Sequence, residues 1–146
     1  MRPDLDTYFM RMAELVSTRS TCTRRKIGAI VVKDKQVLST GYNGAPRGLT
    51  HCLDIGCLRD ELDIASGTRH EICRAVHAEQ NAIVQCARHG VSTKSGILYV
   101  NVNPCKICAK LIINAGISRV VYKSEYSDSE GIELLREAGV QVDRFE

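Results

Sequence analysis

The sequence predicts an α/β fold built in layers. Two β-branched runs, residues 27–32 and 37–40, flank the polar pair Asp34-Lys35 and read as a hairpin. Past residue 75, helical patterns alternate with short apolar runs, a rhythm that calls for parallel strands joined by crossover helices. The chain has 146 residues, which is ample for a continuous core without disulfides, so residues 1–146 are read as a single domain.

The elements follow in order. Residues 5–18 place Leu5, Tyr8, Phe9, Met12, Leu15 and Val16 at helical spacing, with Asp4 or Asp6 as cap. The hairpin comes next. Residues 41–75 hold Gly41, Gly44, Pro46, Gly48, Gly56 and Gly67 with little periodicity, and read as a long loop. A loop of that length in a compact domain is functional or anchored. A helix is expected over 76–88, a strand over 98–102, and a helix over 105–115 that stops at Gly116. A strand over 120–122, a helix over 127–138 that stops at Gly139, and a strand over 140–145 complete the chain. No internal repeat, low-complexity tract or linker interrupts it.

Composition removes several classes of function. Lys and Arg number 20 against 17 Asp and Glu, a net charge of +3, so no strongly basic surface announces nucleic acid. Trp is absent, with two Phe and five Tyr, which argues against a platform for stacking bases. No apolar run reaches the length of a membrane span, and Met1-Arg2-Pro3-Asp4 opens no apolar signal region. A cytoplasmic location is therefore expected. There thiols stay reduced, and seven cysteines point to metal binding or catalysis rather than disulfides.

Two segments carry the chemistry. His77-Ala78-Glu79 opens one predicted helix, and Pro104-Cys105-Lys106-Ile107-Cys108 opens the next. Cys105 and Cys108 stand three apart, on one helix face, at a helix start that favours thiolate. His77 adds a third ligand, and catalytic zinc takes three protein ligands with one position open. Glu79 lies two residues from His77, a spacing that suits a proton carrier beside the metal when the metal sits off the helix end. Cys-x-x-Cys alone also fits a structural zinc knuckle or a redox pair. His-x-Glu followed by Pro-Cys-x-x-Cys is the signature of the zinc nucleobase deaminases.

With these segments, the sequence resembles the deoxycytidylate deaminase family of the cytidine deaminase superfamily. The resemblance extends over Arg19-Ser20-Thr21-Cys22, Gly41-Tyr42-Asn43-Gly44-Ala45-Pro46, His77-Ala78-Glu79-Gln80-Asn81-Ala82, Cys108-Ala109-Lys110-Leu111-Ile112-Ile113 and Tyr126-Ser127-Asp128. It implies a cytidine-deaminase-like three-layer α/β/α fold with a central mixed five-stranded sheet. It implies hydrolysis of dCMP to dUMP and ammonia, the dUMP feeding thymidylate synthesis. His77, Cys105 and Cys108 would hold Zn²⁺, water activated there would attack C4, and Glu79 would shuttle protons. Asn43 would bind the deoxyribose hydroxyl, although Asn-Gly is also a common plain turn. Ala78 would line the base pocket through its backbone, and Tyr126 would border its mouth.

Phosphate recognition would fall to arginine, with Arg25 the leading choice among Arg19, Arg24, Arg25, Lys26 and Arg47; a solvated basic rim is the alternative. The chain departs from the family at Asn101 and Asn103, where other residues are usual, and at Gln80, where an apolar residue is usual. Another zinc deaminase acting on a nucleoside, free base or tRNA, and a non-catalytic zinc-binding module, are the alternative functions.

Some members carry a second, structural zinc. Cys22, Cys52, Cys57 and Cys73, with His70 nearby, are the candidate ligands here, against a reading as buried free thiols. The resemblance also implies a homo-oligomer, a hexamer in many members. It further implies activation by dCTP and inhibition by dTTP with Mg²⁺.

Overall fold

Five strands lie in the order β2-β1-β3-β4-β5 in a computed structural model that describes residues 1–65, 68–125 and 129–146. The strands are β1 (Gly28–Lys33), β2 (Gln36–Tyr42), β3 (Ile97–Val102), β4 (Arg119–Ser124) and β5 (Gln141–Arg144). β1 runs antiparallel to both β2 and β3, while β3, β4 and β5 are mutually parallel. The mixed five-stranded sheet is the expected one. The hairpin turns at Asp34 and Lys35, both with positive φ, the mirror-image turn whose twist matches its strands.

The helices are α1 (Leu5–Ser17), α2 (Cys52–Ile55), α3 (Leu58–Glu61), α4 (Ala78–His89), α5 (Lys106–Asn114) and α6 (Glu130–Glu137). Asp4, rather than Asp6, caps α1 by accepting from the Thr7 N–H at 2.7 Å. Alternation of side chains along the strands divides the core in two. On one face Phe9, Met10 and Ala13 of α1 pack on Ile30, Val32, Tyr99 and Val121. On the other, residues of α4, α5 and α6 pack on Ala29, Val31, Leu98, Val100 and Val120. The result is three layers, with one helix opposing three. Among the described residues no helix is long and apolar enough to cross a membrane.

The stretch read as a long loop contains α2 and α3, each four residues long. Elements so short carry no periodic signal. The segment is tied at both ends and in the middle. Gly44 and Val76 exchange backbone hydrogen bonds of 3.1 and 2.7 Å, and the Leu53 N–H donates to the Thr21 carbonyl at 3.2 Å.

Far from that segment, a polar cluster joins α1 to three strands. Arg119 donates to both carboxylate oxygens of Asp6 at 3.0 and 2.9 Å, and its Nε to Asp143 at 2.8 Å. The Tyr99 hydroxyl donates to Asp6 at 2.6 Å. The Arg119 hydrogen bonds hold both carboxyls below the usual range for Asp. Their stabilisation is thus present above about pH 4, the unfolded value, and is lost as pH falls through the lowered folded values. The carboxylates are 37% and 40% exposed, so solvent screens part of it. Arg119→Met is expected to cost about 1–2 kcal/mol, or about 5 °C in Tm, at pH 7. Thermal melts across pH check this: the gap from wild type narrows below about pH 4.

Candidate metal centre and active site

β2 and β3 run in the same direction, since each is antiparallel to β1. Their carboxyl ends share one edge of the sheet, and the residues that follow them, Asn43 and Asn103, start the walls of a site there. Two helix starts converge on the same edge. His77 is the N-cap of α4 and Cys105 the N-cap of α5, each in extended backbone.

The spacing of His77, Cys105 and Cys108 translates into a triad. Their ligand atoms all lie within 4.8 Å of one another. His77 Nδ1 is 3.2 Å from Cys108 Sγ and 3.5 Å from Cys105 Sγ. Tetrahedral zinc, with bonds of about 2.3 Å to sulfur and about 2.0–2.1 Å to nitrogen, sets N···S separations near 3.6 Å. The donor set and its separations therefore fit zinc. Cys105 Sγ also accepts from the Cys108 N–H at 3.4 Å, so the helix start favours its thiolate. The hydrogen bond with the Cys108 thiol is the main force pulling Cys105 down to about 4, and it pushes Cys108 well up. A divalent cation would hold both as thiolates. Burial works to lower His77, yet its hydrogen bond to Cys105 and the charges of Glu79 and Cys105 leave it raised.

Glu79 is the second residue of α4 and 4% exposed. Burial pushes its carboxyl up to about 7, against the opposing pull of His77. A carboxyl that exchanges its proton near neutrality is what a proton shuttle requires. Gln80 accounts for its own departure from the family: its side-chain oxygen accepts from the His77 N–H at 2.8 Å, the return half of a capping box. His70 packs edge-on against His77, ring centroids 4.9 Å apart, and burial keeps its pKa low.

Two glycines fix these helix starts. A Cβ on Gly41 of β2 would collide with the Ala78 carbonyl and the Ala82 N–H of α4. One on Gly131 of α6 would collide with the Pro104 carbonyl and the backbone of Cys105. Asn81 adds a hydrogen bond from its Nδ2 to the Tyr42 carbonyl at 2.8 Å.

Beside the triad lies an open cleft. Glu79, His77, Cys105, Asn43, Arg25 and Arg59 all line it, as do Arg24, His70 and Asn103. Asn43 is buried and already braced. Its Oδ1 accepts from the Ser20 hydroxyl at 2.5 Å and the Ile27 N–H at 3.0 Å, and its Nδ2 donates to the Arg25 carbonyl at 2.9 Å. One amide N–H is left over for a ligand. Arg19, Lys26 and Arg47 are exposed and stand outside the lining residues. Ala78 is fully buried in the core, with its carbonyl against Gly41. Tyr126 falls outside the described residues. Asn101 serves the backbone: it accepts from the Gly28 N–H at 2.9 Å and donates to the Lys26 carbonyl at 3.0 Å.

Cys22, Cys52 and Cys57 are buried and Cys73 half-buried, all as free thiols. Burial raises the Cys52 pKa, and the charges of Cys73, Cys22 and Cys57 raise it further. His70 instead feels Cys105 and His77. Among the described residues the tight three-ligand cluster is His77, Cys105 and Cys108. Arg59 carried no signal in the sequence, where it sits in a charged stretch that reads as solvated surface.

A buried carboxyl stands beside an imidazole and two cysteine sulfurs at the edge of a mixed sheet, a donor set that fits a bound metal ion. Residues 3–124 match the family described as "Cytidine and deoxycytidylate deaminase zinc-binding region". A deoxycytidylate deaminase of Schizosaccharomyces pombe is 41% identical over 99% of this chain, which spans 45% of that protein. The chain thus covers about half the length of that relative. A deoxycytidylate deaminase of Mycobacterium phage D29 is 44% identical over 85% of this chain and 98% of its own. A dCMP deaminase of cyanophage S-TIM5, solved with dCMP and dUMP, superposes with a TM-score of 0.84 at 36% identity, covering 99% of both chains. The chain belongs to the cytidine and deoxycytidylate deaminase family.

Removing one sulfur from the triad leaves two ligands, too few for a stable zinc site. Cys108→Ala is expected to lower bound zinc by about one equivalent per chain relative to wild type, measured by elemental analysis after gel filtration.

Proposed function

We propose that the chain is a dCMP deaminase that hydrolyses dCMP to dUMP and ammonia. The observation that carries the reaction is the buried Glu79 carboxyl beside the His77, Cys105 and Cys108 ligand atoms. The substrate rests on the family and on the likeness to a protein solved with dCMP and dUMP. The dUMP formed is the compound that thymidylate synthesis consumes.

His77, Cys105 and Cys108 hold the metal. Zinc bound there supplies the Lewis acidity that makes water a nucleophile near neutral pH. Glu79 takes a proton from the attacking water and passes it to the ring nitrogen N3 as the C4–O bond forms. It then carries the second water proton to the amino group. The C4–N bond breaks, its electron pair leaves with ammonia, and a carbonyl remains at C4. Asn43 directs its spare amide N–H to the deoxyribose hydroxyl, on an amide already fixed by three hydrogen bonds. Arg25 binds the phosphate from the cleft wall.

The remaining readings belong to the same proposal. Cys22, Cys52, Cys57 and Cys73 would hold a second, structural zinc, supported by their being free thiols, three of them buried, whose charges act on Cys52. It would tie the 44–76 segment to the strand edge. Exposed Val84, Ile107 and Leu111 on α4 and α5 leave apolar surface for a homo-oligomer, a hexamer in this reading. Activation by dCTP and inhibition by dTTP with Mg²⁺, and a cytoplasmic location, follow from the family resemblance and the free thiols.

Ultraviolet-monitored deamination of dCMP, CMP, deoxycytidine and dCTP tests the substrate. The expected result is a kcat/KM for dCMP at least tenfold above each of the others. A better rate on another member of the panel would keep the zinc chemistry and overturn the substrate. Elemental analysis of zinc-replete protein tests the second metal: two zinc ions per chain are expected, and one would exclude the structural site.

A further inference from the structure

Arg59 is a buried cation with no counter-ion among the described residues. It is 5% exposed and lines the cleft. Its NH1 donates to the Thr68 carbonyl at 3.0 Å, and its Nε is buried without a hydrogen-bond partner. None of the described ion pairs includes it. A guanidinium is always charged and presents five donors, so burying it without an anion is unfavourable unless a ligand supplies one.

The turn that carries Arg59 is held firmly. The next residue, Asp60, accepts from Arg24 Nε at 2.6 Å, and Arg24 NH2 donates to the Ile64 carbonyl at 2.6 Å. Arg24 thereby joins α3 and the residues just after it to the stretch ahead of β1. These bonds brace the turn from which the Arg59 side chain reaches the cleft. Glu79, the carboxylate lining that cleft, is committed to the metal triad and shares no hydrogen bond with Arg59. The anion that Arg59 lacks is one that a ligand brings into the cleft.

We propose that Arg59 is a specificity-determining residue that binds the 5′-phosphate of the substrate. The inference rests on the monophosphate reading above and deepens it. A monophosphate offers three oxygens to a guanidinium fork. Arg59 would thus discriminate a nucleoside monophosphate from the bare nucleoside, with Arg25 lining the same cleft.

The test is the ratio of kcat/KM for dCMP to that for deoxycytidine, in wild type and in Arg59→Met, with zinc content measured on each sample. The ratio is expected to fall about 100-fold in the variant, chiefly through KM for dCMP. Where nucleoside turnover is too slow to measure, the ratio of Kd values for dUMP and deoxyuridine replaces it. An unchanged ratio in a zinc-replete variant overturns the assignment. Should Arg59→Met fail to fold, Arg59→Lys keeps a cation without the fork, and its ratio is expected to fall about tenfold; no fall overturns the assignment. A wild type that does not prefer dCMP to deoxycytidine overturns the monophosphate reading and Arg59 with it. A wild-type preference that survives in the variants overturns Arg59 alone.

Discussion

His77 caps α4, Cys105 caps α5, and their side chains must meet within 3.5 Å for a metal to be held between them. No local interaction brings the two residues together, because 27 residues and a whole strand separate them in sequence. The sheet does it. β1 pairs with both β2 and β3, so the helix packed on β2 and the helix leaving β3 start at one edge. Gly41 lets α4 lie directly on β2, and Gly131 lets α6 press on the turn that holds Cys105. The chemistry therefore depends on backbone packing at two residues that have no side chain.

The same arrangement sets the electrostatics. A helix N-terminus favours negative charge, and the site uses one for its thiolate and places Glu79 in the first turn of the other. Burial then opposes ionisation of Glu79, and the balance leaves a proton that can move near neutral pH. The 44–76 segment brings Arg59 into the same cleft, and Arg24 bonds to the neighbouring Asp60.

The parts legible in the sequence were those with a short-range pattern. The crossover helices and the hairpin showed through their periodicity, and the triad with Glu79 through its spacing at two helix starts. Asn43 was legible as a loop residue, but its three bracing hydrogen bonds come from Ser20, Ile27 and Arg25, which no local pattern links to it. The basic cluster after α1 was legible as charge, whereas its sorting was not: Arg24 turns to Asp60, while Arg19 and Lys26 face solvent. Arg59 was missed because its burial is a tertiary fact about a four-residue helix. The close approach of α4 to β2 buries Ala78, and its contact with the base through its backbone stays part of the proposal.

In the proposed reaction Glu79 moves protons at a metal site it does not help to hold. The most direct measurement is turnover of dCMP by Glu79→Gln, with zinc content determined on the same sample. Wild-type zinc and a fall in kcat of about 10³-fold are expected, within the range for a general acid–base group. Turnover near the wild-type rate, or a loss of activity that tracks a loss of zinc, would contradict this role.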